Sequence, residues 1–448
     1  MRIKKIDITN FKGFEKKVVT FSGNLTVVIG NNTAGKTTLL HAIQVGLGAY
    51  LQSLSNLKGG RSYRKQFVES DEFLRYDAAQ RDYVPNPDRP RIEIDAEFTE
   101  TARIPGDGFS FSPVPVHWYR EFTKGGSTTH NQACVGELIA VVRRMEERRA
   151  SEGGAVYPLV LSFGTNRIDA QFRVSQKVKE RQQRIDVAYN AALDDAKVDF
   201  AGAMNWLRRY EKSVKDGKEF EGTREAFLEA IRTAVKPLSE LEFDSEANEL
   251  EAMVSVEGKA PSRHHYSFMS DGLKAIINIV SEIAYRCIEL NGFMGADAVK
   301  STPGVVLIDE VDLYLHPKWQ QHILRDLCEA FPRIQFIVST HSPFIVQSLG
   351  RDQLVSFDED ANTGGEPFRE GLEDISSDRM GMSGELRSRL YRKMLEAATD
   401  YYEALDSGRE DASQLKERLR RLEAEFSDDP AYLALLRMES KRKNIEEE

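Results

Sequence analysis

Short apolar runs separated by Gly, Asn and Lys occupy the first thirty residues. Ile3, Ile6 and Ile8 lead into Asn10-Phe11-Lys12-Gly13-Phe14, and apolar stretches follow at 18–21 and 25–29. Three short β-strands are the predicted outcome, the third apolar at almost every position, as suits a strand covered on both faces. Leu39, Leu40, Ile43 and Leu47 then recur at helical spacing and predict a helix over 37–48. Residues 91–98 alternate as a half-exposed strand, and the Gly, Ser and Thr that follow as far as Thr129 predict loops or hairpins. Further apolar runs of strand length lie at 157–163, 304–308 and 334–338, while 241–257 alternates. The stretch 173–235 predicts polar helix with an inner stripe of Tyr189, Leu193, Phe200, Met204, Trp206 and Leu207. Helices are expected at 273–290 and 317–330. Beyond a Gly- and Asp-rich linker near 357–366, Leu415, Leu419, Leu422 and Phe426 form one apolar stripe.

Composition narrows the class. A chain of 448 residues with 41% hydrophobic and 29% charged positions can bury a sizeable core, in about three compact units or one large domain with insertions. The net charge of −10 removes whole-molecule charge as a driver of nucleic-acid binding, so any such contact must be a local patch. Cys134, Cys287 and Cys328 are dispersed and odd in number, which fits neither a disulfide framework nor a metal knuckle and points to a reducing cytoplasm. No apolar run approaches membrane-spanning length.

The chemistry begins at Gly30-Asn31-Asn32-Thr33-Ala34-Gly35-Lys36-Thr37, with Thr38 in the first helical turn. This matches GxxxxGK[ST] between a buried strand and a helix, the context its mechanism needs. The glycines let backbone N–H groups turn toward phosphate oxygens at a positive helix end. Lys36 is placed to reach the β- and γ-phosphates of ATP, and Thr37 to ligate Mg²⁺. Asp309-Glu310 ends the apolar run 304–308, where α/β sheets bind ligands. Asp309 would hold Mg²⁺ and Glu310 would act as general base; a solvated loop start is the plainer alternative. His341 in Ser339-Thr340-His341-Ser342-Pro343 follows a third such run and suits a γ-phosphate contact, although a lone His more often serves the core. Ser270 and Gly272 open the helix at 273–290 with a hydroxyl, a small residue and free N–H groups; alternatively Ser270 is a plain N-cap.

In this order the motifs resemble ABC-type ATPases, with about half the chain between Lys36 and Ser270 as in the SMC, RecF and OLD-like branch. The resemblance implies an α/β fold, an ABC-type P-loop ATPase head with a mostly helical insertion and a helical C-terminal tail. It also makes Lys12 an ATP contact, and implies that two heads sandwich nucleotide, Ser270 and Gly272 of one closing on Lys36 and Thr37 of the other. Leu315-His316-Pro317 takes the place of the D-loop, and Gln66 and Gln80 are the Q-loop candidates. The segment 307–320, the segment 331–338, the region 206–211 and Asp428-Asp429-Pro430 look more closely like the ATPases of Septu and Septu-like retron anti-phage systems, which work with an HNH nuclease subunit.

The expected organisation is an N-terminal lobe at 1–100, an insertion at 101–240, a C-terminal lobe at 241–355 and a linker with helical tail at 356–448. Function follows as an ATP-hydrolysing subunit that scaffolds and regulates an HNH nuclease, as a homodimer or higher oligomer. A stand-alone RecF- or OLD-like ATPase in DNA repair or processing is the alternative. About a hundred residues follow His341, without an Asp-x-Asp pair on an apolar run, which argues against a TOPRIM nuclease in this chain. Basic clusters at 61–65, at Arg143, Arg144, Arg148 and Arg149, and at 173–184 offer DNA contact or merely solvated helix faces. The stripe from Leu415 offers partner docking, or packing on its own head.

Overall fold

A computed structural model describes residues 1–55, 57, 65–104, 108–123, 125–152, 154–165, 184–195, 200–217, 221–244, 246–247, 249–255, 260–358, 364–381 and 417. The expected tail stripe at 415–426, the Asp428-Asp429-Pro430 motif, Arg61 to Arg64, and Lys177, Lys179 and Arg181 lie outside the described residues. One compact unit comprises 1–375 and 379–381; the second, 376–378 with 382–448, falls almost wholly outside them.

β1 (Arg2–Phe11), β2 (Phe14–Thr20), β6 (Arg91–Ile104) and β7 (Gly108–Glu121) form an antiparallel sheet in the order β2-β1-β6-β7. A small hairpin, β4 (Leu74–Asp77) and β5 (Asp82–Pro85), lies between them in sequence. The second sheet is parallel throughout. β3 (Leu25–Ile29), β8 (Leu159–Phe163), β12 (Gly304–Ile308), β13 (Ile334–Ser339) and β14 (Leu354–Ser356) run in the order β14-β3-β13-β12-β8. The apolar runs of β3, β8, β12 and β13 reflect burial on both faces, and each Val, Leu or Ile so covered contributes about 1.5–3 kcal/mol. Leu307→Ala in β12 is therefore expected to lower unfolding free energy by about 2–5 kcal/mol, as read from urea melts.

α1 (Lys36–Ser53) packs against β1, β6 and β7 of one sheet and β13 of the other. The indole of Trp118 donates to the Gly46 carbonyl at 3.0 Å and the guanidinium of Arg120 to Val45 O at 2.7 Å, both from β7. The sheets are also joined by Gln335, a polar residue inside β13, whose amide donates to and accepts from the Ile3 backbone at 2.9 and 2.8 Å.

Residues 101–240, expected as an insertion, differ from that expectation. β7 belongs to the antiparallel sheet and β8 is an edge strand of the parallel one, because its five buried residues, four of them apolar, need the β12 edge and cover on both faces. The helical part comprises α2 (Gln132–Glu152), α3 (Arg184–Tyr189), α4 (Phe200–Lys215) and α5 (Glu221–Ala234). The expected stripe from Tyr189 to Leu207 is buried, and α3, α4 and α5 pack on α6 (Asp271–Asn291). A third sheet, β11-β10-β9, is built from β9 (Leu238–Asp244), β10 (Glu249–Val254) and β11 (Ser262–His265). The helix predicted over 317–330 is two, Pro317–Gln320 and Ile323–Ala330. Among the described residues no helix is long and apolar enough to cross a membrane.

Candidate functional site

Because every strand of the second sheet runs the same way, the segments leaving β3, β12, β13, β14 and β8 gather at one edge. The loop after β3 turns through Gly30 at φ 148° and Gly35 at φ 95°, conformations that disfavour a side chain. Gly35 is doubly constrained: a Cβ there would stand 2.5 Å from Cζ of Phe14. Asn31, Asn32, Thr33 and Thr37 are exposed, while Ala34, Gly35 and Thr38 are half-buried. α1 starts with no acidic residue in its first turn, so its positive end stays open to an anion. Lys36 is 6% exposed and its ammonium donates to the carbonyls of Gly30 at 2.6 Å and Asn31 at 3.0 Å. Burial pulls its pKa below the ordinary lysine value, opposed by Asp358, Asp309, Glu310 and Asp312.

Thr37 Oγ1 donates to Asp309 Oδ2 at 2.9 Å, joining the loop to the end of β12. The other Asp309 oxygen accepts from the hydroxyl of Ser339, which in turn accepts from the Glu310 N–H at 2.8 Å. Ser339 is fully buried at the end of β13 and thus orients both acidic residues. Glu310 takes φ 48°, a strained backbone for a side chain other than Gly or Asn. His341 is exposed two residues beyond Ser339. Asp358, just past β14, accepts from the Asn31 N–H at 3.1 Å, which extends the site beyond residue 355.

The α6 start meets the segment after β12. Ser270 occupies the N-cap position, but its side chain makes no capping hydrogen bond, unlike the plain N-cap weighed for it. Gly272 is buried, and a Cβ there would lie 2.6 Å from the Tyr314 carbonyl. Gly272→Val is expected to push α6 and this turn apart and to lower the melting temperature by several degrees in a thermal scan. Among the described residues, no hydrogen bond or ion pair joins Ser270 or Gly272 to the Gly30–Thr37 loop of the same chain.

Lys12 takes φ 49°; its N–H donates to Asp71 O at 2.7 Å and its ammonium lies 3.4 Å from Asp71 Oδ1. Asp71 is fully buried and also accepts from the Val68 N–H at 3.0 Å. His41 approaches the same carboxylate at 3.8 Å, and burial, then Lys65 and Lys12, push its pKa down to about 3. Gln80 sits in the exposed turn between β4 and β5, and Gln66 precedes buried Phe67; neither is hydrogen-bonded to the acidic pair or to Lys36 among the described residues.

Ser339, Asp312, Asp358 and Asp71 were not singled out from sequence. Ser339 and Asp312 lie within the segments 339–343 and 307–320, but nothing local in those segments marks their partners. The α2 arginines are largely engaged within the fold. Arg144 and Arg148 lie 3.4 and 3.3 Å from Glu100, and Arg149 donates to the carbonyls of Ala155 and Leu290; Arg143 is exposed.

A family model described as "AAA domain" matches residues 5–253, more than half the chain. A second AAA domain model, whose description adds the AbiEii toxin of type IV toxin–antitoxin systems, matches 209–347. "Retron Vc95 probable ATPase" of Vibrio cholerae is 25% identical over 388 residues, covering 79% of this chain and 73% of that protein. "Septu protein PtuA" of Bacillus thuringiensis is 32% identical over 163 residues, 33% of this chain and 39% of its own length. "OLD nuclease" of Thermus scotoductus is 26% identical over 364 residues, covering 76% and 59%. An SMC head bound to the C-winged helix domain of ScpA aligns with a TM-score of 0.46 at 17% identity, covering 77% of this chain and 91% of that one. With phosphate-loop, acidic-pair and histidine segments gathered at one parallel-sheet edge and this family match, the chain belongs to the AAA domain family as an ABC-type ATPase resembling the Septu and retron ATPases.

Proposed function

We propose that the protein is the ATP-binding and ATP-hydrolysing subunit of an anti-phage defence complex that scaffolds and regulates a partner HNH nuclease, with ATP sandwiched between two heads. The observation that carries the hydrolytic part is the pairing of Thr37 with Asp309 beside Glu310, next to a buried Lys36. The likeness to the retron and Septu proteins supports the defence role.

Thr37 and Asp309 present only hard oxygen atoms to each other, the donor class that suits Mg²⁺. Thr37 and Asp309 would hold Mg²⁺, which when bound would supply charge neutralisation for the transferred phosphoryl group. Lys36 exchanges its two loop carbonyls for phosphate oxygens, and the N–H groups from Thr33 to Thr38 contribute at the positive end of α1. Glu310 takes a proton from the attacking water, and His341 contacts the γ-phosphate. Lys12, steadied by Asp71, is a further ATP contact. Ser270 and Gly272 serve the nucleotide of a second copy, so turnover depends on assembly of two heads. Protein partners dock through the tail after residue 356; DNA contact is confined to local basic patches.

The test is Mg²⁺-dependent phosphate release by the purified chain, alone and co-expressed with its neighbouring reading frames. Turnover that rises with protein concentration and co-purification of a small HNH protein are expected. Plasmid nicked by the chain alone with Mg²⁺ would overturn the division of labour and favour a stand-alone OLD-like protein, the reading that the OLD nuclease likeness supports.

A further inference from the structure

Asp312 lies in the turn after β12 and Gln320 ends the short helix Pro317–Gln320; neither takes part in the Thr37–Asp309 pair, yet both are tied to the loop that carries His341. The Asp312 carboxylate accepts from Thr340 Oγ1 at 2.5 Å and from the His341 N–H at 3.3 Å through the same oxygen. Thr340 is fully buried, and its oxygen accepts from the Ser342 N–H at 3.0 Å. Gln320 makes the second tie. Its amide nitrogen donates to Leu315 O at 2.9 Å and Asp312 O at 3.3 Å, while its oxygen accepts from Ser342 Oγ at 2.6 Å. His341 is therefore bracketed, with Thr340 and Ser342 on either side both anchored to the turn after Glu310.

That turn is hydrogen-bonded within itself and abuts the start of α6. Leu313 N donates to Glu310 O at 2.9 Å and Leu315 N to Asp312 O at 3.0 Å, two consecutive tight turns. Tyr314 between them takes φ 68°, a conformation held by its surroundings, and its carbonyl faces buried Gly272 where even a methyl would stand at 2.6 Å. A shift at the start of α6 therefore has little slack before it moves the Tyr314 carbonyl, and with it the two ties.

We propose that Asp312, with Gln320, is a positioning residue that couples the start of α6 to the backbone at His341. Closure of a partner on the exposed Ser270 end then sets the His341 ring toward the γ-phosphate. This coupling rests on the ATPase reading above and adds to it a route from the assembly surface to the reacting group.

The experiment compares full-length wild type with Asp312→Ala, Asp312→Asn, His341→Ala and the Asp312→Ala/His341→Ala double variant. Steady-state ATP turnover, binding of a fluorescent ATP analogue and melting temperature are measured for each. Asp312→Ala should lose about ten- to hundredfold in kcat, the scale of a misplaced reacting group, with analogue binding unchanged. Asp312→Asn keeps the acceptor oxygen but removes the charge that acts on Lys36, and should stay within about threefold of wild type. The double variant should be no slower than His341→Ala alone, since both remove one function. Wild-type turnover in Asp312→Ala, or losses that multiply in the double variant, would overturn the coupling while leaving the ATPase reading intact. Absence of Mg²⁺-dependent turnover in the wild type would defeat the ATPase reading itself. If Asp312→Ala melts early, Thr340→Val, which leaves Asp312 in place but removes the hydroxyl that donates to it and accepts from the Ser342 N–H, carries the same expectation and the same refutation.

Discussion

Glu310→Gln is expected to bind ATP as the wild type does and to lose about 10²- to 10⁴-fold in turnover, the range supplied by a positioned general base. The substitution is nearly isosteric and leaves the backbone N–H that bonds to Ser339 in place, so the β12–β13 connection survives. Asp309 keeps its bonds from Thr37 and Ser339, so metal and phosphate binding are spared. What changes is the ability to take a proton from water. The measurement is phosphate release under saturating ATP, beside analogue binding on the same preparation. A variant that hydrolyses at the wild-type rate assigns the base elsewhere. One that fails to bind ATP points to Glu310 as part of the binding surface. A trapped, nucleotide-bound assembly, seen as a larger species by light scattering, is the accompanying expectation if two heads share each nucleotide.

Lys36→Ala should reduce ATP affinity by about a hundredfold or more, since it removes a cation whose charge-assisted hydrogen bonds to phosphate are each worth about 1.5–3 kcal/mol. The buried ammonium is held below its ordinary pKa by desolvation, with four carboxylates pulling the other way. Removing it leaves those carboxylates, Asp358 and Asp309 foremost, facing an incoming polyphosphate without the local positive charge. It also leaves the Gly30 and Asn31 carbonyls without their donor. A modest loss of stability should accompany the loss of binding, so a melting curve belongs beside the titration. Undiminished binding would refute the phosphate-loop assignment.

Much of the parallel sheet was legible because its strands are buried on both faces and so read as unbroken apolar runs. β3, β8, β12 and β13 fall within one or two residues of the expected runs. The pairing β6–β7 was harder to read, because Pro113, Pro115 and a polar alternation weaken the strand pattern. The place of β8 in the head could not be read at all from its position amid helical sequence. A strand's neighbours are chosen across the sheet, and β8 meets β12 from about 145 positions away. The split of 317–330 into two helices follows from the hydrogen bonds that Gln320 makes backward to 312 and 315, a tertiary demand on a locally helical stretch.

By itself the sequence determined what depends on consecutive residues. Gly30 to Thr38 encode their own turn and helix start, since φ freedom at two glycines and a cation beside a helix N-terminus are local properties. The presence of Asp309, Glu310 and His341 directly after apolar runs is likewise local. Only the tertiary structure decided which of these groups meet. Thr37 finds Asp309 across 272 positions, Ser339 bridges Asp309 and Glu310, Asp312 reaches Thr340, and Asp71 holds Lys12. The physical reason is strand order. Parallel pairing β3-β13-β12 brings three chain-distant loop starts to one sheet edge, and hydrogen-bond distance at that edge is fixed by register rather than by any local pattern.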